Sequence, residues 1–212
     1  MELKNLIKHG ALTASAGGAL FIVVDLIALL VLDFSQNLSQ LVTSFGWHLQ
    51  SAISLVAGTL VMLGLVCVYA RRAEAMGTFG LIAFLVAFFG LVLAQGFVWD
   101  MSFTVPSIAV AAPELLGSHP PGLFALGAAL SLTLVNLGLL VFGVAALRDD
   151  FYPRTAVMLL IIGAGLAGAV GGLISGWPSS SLVKVGVGTD ILLEAGIIWL
   201  GLATYRENVL LD

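Results

Sequence analysis

The stretch VKVGVGTDILLEAGIIWLGLATY, residues 183–205, decides the fold of this chain. It is long and apolar enough to cross about 30 Å of hydrocarbon as one helix, which takes about 20 residues. It also carries two carboxyl groups, Asp190 and Glu194, within the apolar run. A charge at the centre of a membrane helix costs about 2.5–3.5 kcal/mol, so these acids need a compensating interaction. The stretch therefore predicts a final membrane-spanning helix that contains a polar site.

The composition of the whole chain agrees with this prediction. Of its 212 residues, 60% are hydrophobic and 9% are charged, and the mean hydropathy is +1.12. A soluble domain needs a polar surface, which this composition does not provide. The net charge of −4 comes without a basic stripe, which argues against a nucleic-acid partner. The single cysteine, Cys67, forms no internal disulfide and is expected to act as a small apolar residue.

Five further apolar stretches are long enough to span a bilayer. Helices are expected because every backbone polar group must be paired within the lipid, and the runs are continuous rather than alternating as in a barrel. The sequence predicts an all-α membrane protein with one transmembrane domain, residues 1–212. Its six spans are expected at about 11–32, 50–70, 77–98, 123–147, 155–176 and 184–205.

The basic residues predict the orientation of these spans. Seven fall on one side of the predicted membrane and only Lys184 falls on the other; the seven are Lys4, Lys8, Arg71, Arg72, Arg148, Arg154 and Arg206. Cytoplasmic loops carry the excess of Lys and Arg, so both termini are expected in the cytoplasm. Trp47, Trp99 and Trp177 fall at predicted outer ends, as in an aromatic belt. The expected location is the plasma (inner) membrane.

Two outer connections are more than plain loops. Residues 33–50 have apolar side chains at helical spacing, which fits either a short interfacial helix or an outward extension of the second span. Residues 100–122 are long and apolar, and Pro113 followed by Glu114 suits the first turn of a short helix. We expect the second segment to be a lid or half-buried plug over the outer face, or else a loop lying on the surface.

Small residues indicate where helices pack. Ala164, Gly168, Gly172 and Gly176 recur every four residues in the fifth span, a pattern that lets another backbone approach closely. Gly10, Ala14 and Gly18 form a shorter version in the first span. The partner could be a helix of the same chain, a second copy in a homo-oligomer, or another membrane subunit.

The first span contains a matching acid, Asp25, in the run FIVVDLIALL. At 1.5 Å per residue, Asp25 lies roughly 12 Å and Glu194 roughly 13 Å from the outer ends of their helices. Asp190 lies one turn from Glu194 on the same helix face. If the first and last helices are neighbours, the acids face one another, and either a shared proton or a bound cation would stabilise the pair.

Other polar residues also lie in or near the spans. Asn136 falls near the midplane of the fourth span, and Gln95 and Asp100 fall near the outer end of the third. Hydrogen bonds from Asn136 or Gln95 would help to stabilise the acids. We therefore count all three as candidates for substrate or ion binding, together with Asp25, Asp190 and Glu194.

Three functions fit this pattern. The first is transport of a small solute or cation, coupled to protons or cations at the acids, since intramembrane acids are commonly functional. The second is a non-catalytic accessory subunit or lipid-binding scaffold with neutral, hydrogen-bonded acids. The third is a membrane enzyme with a metal site on the outer face, with ligands drawn from His48, His119, Asp100, Asp190 and Glu194. No HExxH motif is present, and the sequence indicates neither catalytic residues nor a cofactor.

Two runs carry a resemblance in their order of features. They are LGLVCVYARRAEAMGTFGLIAFLVAFFGLVLAQGFVWDMSFTVPSIAVAAPELL and VFGVAALRDDFYPRTAVMLLIIGAGLAG. An arginine-ended helix, a tight turn, a glycine-rich helix, an acid at its outer end and a proline-containing outer loop follow one another. This order resembles that of uncharacterised bacterial six-helix multi-pass membrane proteins, over residues 60–205. The resemblance implies a bacterial plasma membrane and no particular activity.

Overall fold

The structure, a computed structural model, describes residues 3–116, 122–148, 151–173 and 180–210, and every regular element in them is helical. The predicted all-α class is confirmed. The helices are α1 (Leu3–Leu30), α2 (Leu38–Val42), α3 (Phe45–Trp99), α4 (Val105–Ala111), α5 (Gly122–Ala146), α6 (Arg154–Leu173) and α7 (Ser180–Leu210). A π-helical turn at Asp100–Thr104 and a 3₁₀ helix at Pro113–Leu116 flank α4.

Within the described residues, four helical segments are long and apolar enough to cross a membrane. They are Asn5–Leu30, Phe45–Ala111, Leu126–Ala146 and Val185–Arg206, and a shorter apolar helix covers Arg154–Val170. These lengths and compositions are compatible with a multi-pass membrane protein.

Helix α3 is interrupted at two residues. Arg72 has φ −127° and ψ 17°, and Gly77 has φ 57° and ψ −158°. A straight helix of 55 residues would be about 80 Å long, more than twice the hydrocarbon thickness. Gly77 supplies a backbone conformation that almost only glycine adopts, which permits a sharp turn at this point.

Contacts across the break show that the chain reverses there. The Gln95 side chain donates to the Leu55 carbonyl at 3.0 Å, and the rings of Tyr69 and Phe84 stack with centroids 4.5 Å apart. Residues before and after the turn therefore lie side by side as an antiparallel hairpin. We call its two arms α3a, residues 45–71, and α3b, residues 78–99.

The long helices form a closed ring in chain order. Neighbouring pairs in contact are α1 with α3, α3 with α5, α5 with α6, α6 with α7, and α7 with α1. Glycines allow these close approaches: Gly64 faces Ala14, Gly90 faces Val135, Gly138 faces Ala87, and Gly163 faces Leu193. Small residues are expected at these contacts, because van der Waals packing drives helix association in lipid and small side chains let the backbones approach closely.

The two ends of the chain lie at the same end of the ring. Lys8 Nζ lies 5.5 Å from the centroid of the Tyr205 ring, and the His9 and Tyr205 rings are 6.3 Å apart. We call this the terminal end. The opposite end, which carries α2 and α4, is called the capped end.

The turns at the terminal end bind one another through aromatic contacts. The Arg72 guanidinium lies 4.6 Å from the centroid of the Phe151 ring, and that of Arg148 lies 4.7 Å from the Phe79 ring. The Tyr152 hydroxyl donates to the Val68 carbonyl at 2.9 Å. These reciprocal cation–π contacts connect the α3 hairpin to the turn between α5 and α6.

The capped end has a small apolar cluster of its own. Val42 of α2 and Val105 and Ala109 of α4 are buried against each other, and Trp47 Nε1 donates to the Met101 carbonyl at 2.9 Å. The connection at 33–50 thus contains a short helix, α2, and also the first turn of α3a. The connection at 100–122 folds into α4 and a 3₁₀ helix that begins at Pro113, while residues 117–121 lie outside the described part.

One acid at the capped end is held in its ionised form. The Ser35 hydroxyl donates to Asp33 at 2.6 Å and the Ser35 backbone N–H donates at 3.0 Å. These bonds favour the carboxylate and lower the pKa of Asp33 below its usual value. Asp33 is fully exposed, so this effect is local to the loop.

The interior near the terminal end is apolar and closely filled. Leu139 and Phe142 of α5 and Leu160 of α6 are almost completely buried. Together with residues of α1, α3a and α7 they surround a void of about 10 Å³, about the size that one water molecule needs. The polar residues described next therefore lie between this apolar layer and the capped end.

Candidate functional site

The candidate site lies on the contact between the first and last helices, which we call the α1–α7 seam. Ala11, Ser15 and Gly18 of α1 face residues 194–201 of α7. A Cβ atom on Gly201 would lie 2.6 Å from the Ala11 carbonyl oxygen, and one on Gly18 would lie 3.1 Å from that of Glu194. Ala11 lies next to Gly201, and Gly18 lies next to Glu194. The residue order along α7 is therefore the reverse of that along α1, so the two helices are antiparallel.

This register places the three acids along the same part of the seam. Asp25 of α1 and Asp190 and Glu194 of α7 all lie on the capped side of the contact between Gly18 and Ile198. Asp25 is 9% exposed and Glu194 is 5% exposed, whereas Asp190 is half-buried. The sequence predicted that these acids would meet only if α1 and α7 are neighbours, and the ring makes them so.

Two of the carboxyl oxygens are buried without a hydrogen-bond partner. They are Oδ2 of Asp25 and Oε2 of Glu194. Hydroxyl groups nearby are already used, since Ser15 donates to the Ile198 carbonyl at 2.8 Å and Thr189 donates to the Gly186 carbonyl at 2.7 Å. A buried polar atom left unpaired costs about 1–3 kcal/mol, and a charged one costs more. The seam therefore has unmet capacity to accept a proton or another positive group.

The described basic side chains do not neutralise the acids. Arg71 and Arg72 lie at the hairpin turn and Arg154 begins α6, all near the terminal end. Lys184 is in the first turns of α7, but its side chain lies outside the described part. Within the described side chains, three like charges would therefore face one another in an apolar surrounding, which strongly disfavours full ionisation.

The other candidate residues make their contacts elsewhere. Asn136 is buried on α5 against Gly168, donates to the Leu132 carbonyl at 2.9 Å, and leaves its own Oδ1 without a partner. Gln95 is bonded to Leu55 within the α3 hairpin. Asp100 is exposed and accepts a hydrogen bond from the Thr104 hydroxyl at 3.0 Å. Within the described part of the chain, these hydrogen bonds of Asn136, Gln95 and Asp100 do not join them to the acids on the seam.

The two histidines proposed for a metal site are not brought together in the described residues. His48 is exposed in the first turn of α3, and His119 lies outside the described part of the chain. Among the described residues, no three His, Cys, Asp or Glu side chains are grouped so that they could hold a metal ion.

The predicted packing ridge on α6 is only partly described. Ala164 is buried, and Gly168 packs against Asn136 of α5. Gly172 lies within α6, but its surroundings are outside the described part, as is Gly176 altogether.

The closest approach of α6 to α7 uses two glycines that we did not predict from the sequence. A Cβ on Gly163 would overlap the Leu193 backbone, and one on Gly196 would lie 2.6 Å from the Leu160 nitrogen. Gly163 is adjacent to the predicted ridge, so a search for small residues on both flanks of the ridge would have included it.

No protein-family model matches the chain, and no curated protein or solved structure matches it. The functional argument therefore depends on the geometry of the seam. Its main features are three carboxyl groups on the contact of two apolar helices and two buried oxygens without a hydrogen-bond partner, on Asp25 and Glu194.

Proposed function

We propose that this chain is a plasma-membrane transport protein that moves a small solute or a cation, with Asp25, Asp190 and Glu194 as its proton- or cation-binding site. The observation that carries the proposal is the pair of unpaired buried oxygens, on Asp25 and Glu194, at the contact of two apolar helices. Ionisable groups inside a membrane are costly, and they commonly mark the pathway of an ion or a proton.

The proposed topology has six crossings. The α3 hairpin supplies two of them, and α1, α5, α6 and α7 supply the others. Helix α6 has 20 residues, so at 1.5 Å per residue it is about 30 Å long and can reach across the hydrocarbon. Because the basic residues gather at the terminal end, we assign that end to the cytoplasm. The acids then lie toward the outer side, the end of the ring that carries α2 and α4.

Transport would follow from a change in the charge of the seam. Binding of a positive ligand removes the repulsion between Asp25 and the acids of α7, which favours a closed seam, and its release favours an open one. A ligand shifts such an equilibrium only by its difference in affinity for the two states. The acid site is suited to this role because a closed seam disfavours ionised acids. An open seam does not.

Flux measurements in liposomes test the proposal. The purified protein is reconstituted and challenged with gradients of protons and of monovalent cations, and the internal pH and ion content are followed. We expect flux above that of protein-free liposomes, and a loss of at least tenfold in Asp25→Asn and in Glu194→Gln. Asp33→Asn is the matched control, because it removes an exposed carboxylate outside the helices, and its flux should equal that of the wild type.

A different result would favour another function. If folded wild-type protein conducts none of these ions, and the seam variants unfold no more readily than the wild type, transport of these ions is refuted. The accessory-subunit or scaffold interpretation then becomes the stronger one, and partner proteins should be sought by cross-linking in the native membrane.

A further inference from the structure

The acids are not grouped as ligands of a metal ion. Among the described residues, no three His, Cys, Asp or Glu side chains lie so that they could hold one together. A ligand of the unpaired oxygens on Asp25 and Glu194 must therefore be one that needs only one or two protein oxygens.

A dehydrated metal ion needs a large set of oxygen ligands. Ca²⁺ takes about six to eight oxygen ligands, and Mg²⁺ requires a nearly octahedral set. No such set is grouped among the described His, Cys, Asp and Glu side chains. A proton, by contrast, needs only one carboxyl oxygen to bind it and a second one to accept the hydrogen bond.

We propose that the ligand of the α1–α7 seam is the proton, held by Asp25, Glu194 and Asp190 as hydrogen bonds between carboxyl and carboxylate groups. This inference names the ligand of the proposed acid site, but it does not require that the chain transports anything. Each proton added to the seam removes one negative charge and supplies one O–H donor. That donor is what the unpaired oxygens of Asp25 and Glu194 lack.

The titratable and charged groups on the helices around the seam do not compete for this role. On α3, His48 is exposed, and Arg71, Arg72 and Glu74 lie at the hairpin turn; on α6, Arg154 lies at the terminal end. Lys8 and His9 of α1 and Tyr205 and Arg206 of α7 are at the terminal end as well. Among the described side chains, a pH response of the seam therefore belongs to the three acids.

Loss of the protons should loosen only part of the seam. Between the acids and the terminal end, the small residues Ser15, Gly18 and Gly201 hold the two backbones together. On the capped side of this contact, three carboxylates would repel one another in an apolar surrounding. We therefore expect α1 and α7 to separate toward the capped end as pH rises, which would open the site to that side.

Thermal unfolding in detergent from pH 5 to pH 8 tests the proton assignment without any flux measurement. The fold favours the protonated acids, so stability should be highest at low pH and should fall as pH rises. The double variant D25N/E194Q carries amides that supply permanent N–H donors and no charge. It should melt near the low-pH wild-type temperature and show a much flatter pH profile.

Ion additions and a control variant separate the alternatives. Na⁺, K⁺, Mg²⁺, Ca²⁺ and Zn²⁺, each added at constant ionic strength, should not raise the wild-type melting temperature. Asp33→Asn should keep the wild-type profile, because Asp33 is exposed and ionised throughout this range. An ion that stabilises the wild type and not the double variant would overturn the assignment, and so would a wild-type profile as flat as that of the variant.

Infrared spectroscopy gives a second readout that needs little perturbation of the fold. Protonated carboxylic acids have a C=O stretching band that carboxylates lack. At pH 7 the wild type should show this band, and Glu194→Gln alone should weaken it. Absence of the band in folded wild-type protein would refute proton binding, whereas its presence without flux would refute only the transport proposal.

Discussion

Asp25 and Glu194 show how much the environment of a single residue determines its chemistry. On a protein surface either side chain would be an ordinary carboxylate, like Asp33. On the seam both are buried, and each has one carboxyl oxygen without a hydrogen-bond partner. These two unpaired oxygens are the reason that we propose a proton site on the seam.

Single glycines also have large effects at the residue scale. A Cβ on Gly64 would overlap the backbone of Ala14, whereas a Cβ on Gly96 meets nothing within 4 Å, although both glycines belong to α3. We predict that Gly64→Ala destabilises the protein by about 1–3 kcal/mol, because α1 and α3a must move apart. Gly96→Ala should be neutral or stabilising by up to about 1 kcal/mol, through the higher helix propensity of alanine.

The unfolding free energies of the two glycine variants can be compared in the same detergent. Equal stabilities of Gly64→Ala and Gly96→Ala would show that α1 and α3a are not in the close contact described here.

At the scale of elements, the interruption of α3 is the decisive feature. A continuous helix would place Gln95 and Leu55 far apart, yet they are joined by a hydrogen bond of 3.0 Å. The apolar stretches 50–70 and 77–98 predicted two helices with a short connection between them. The turn depends on the backbone of Gly77, with φ 57° and ψ −158°.

We predict that Gly77→Ala destabilises the hairpin. An L-residue in this backbone region carries strain on the order of 1–3 kcal/mol. Gly127→Ala is a suitable control, because Gly127 is an exposed helical glycine of α5 with nothing within 4 Å of an added Cβ. Unfolding of both variants in the same detergent measures the difference, and equal stabilities would contradict the role given to Gly77.

At the scale of the whole molecule, the closed ring places the start of α1 and the end of α7 on the same side. This follows because each helix of the ring, with the two arms of α3 counted separately, is antiparallel to the next. The proposed six crossings therefore put the α3 hairpin turn and both termini on one face of the membrane, and put α2 and α4 on the other.

Labelling of single cysteines tests this topology. In a Cys67→Ser background, Ser35→Cys marks the capped end and Glu74→Cys marks the terminal end, and both positions are exposed. A membrane-impermeant maleimide added to intact cells should label Ser35→Cys and leave Glu74→Cys unlabelled until the membrane is permeabilised. Labelling of both positions, or of Glu74→Cys alone, would refute the proposed orientation.

Some of the candidate site could be predicted from the sequence, and some could not. Asp25, Asp190 and Glu194 stand out because charged residues are rare within apolar runs. Asn136 and Gln95 stand out for the same reason, yet their hydrogen bonds lie within α5 and within the α3 hairpin. The position of a residue within an apolar stretch indicates how deep it lies along the helix. It does not give the direction in which the side chain points around that helix.

The sequence by itself determined the helical class and the apolar stretches, because hydropathy and length are local properties and lipid requires paired backbone groups. Only the tertiary structure decided that α1 and α7 are neighbours and in which register they pack. That register depends on the contacts of Gly18 and Gly201, which belong to opposite ends of the chain. A shift of one or two residues along either helix would turn its acid away from the seam, since successive residues are about 100° apart around a helix.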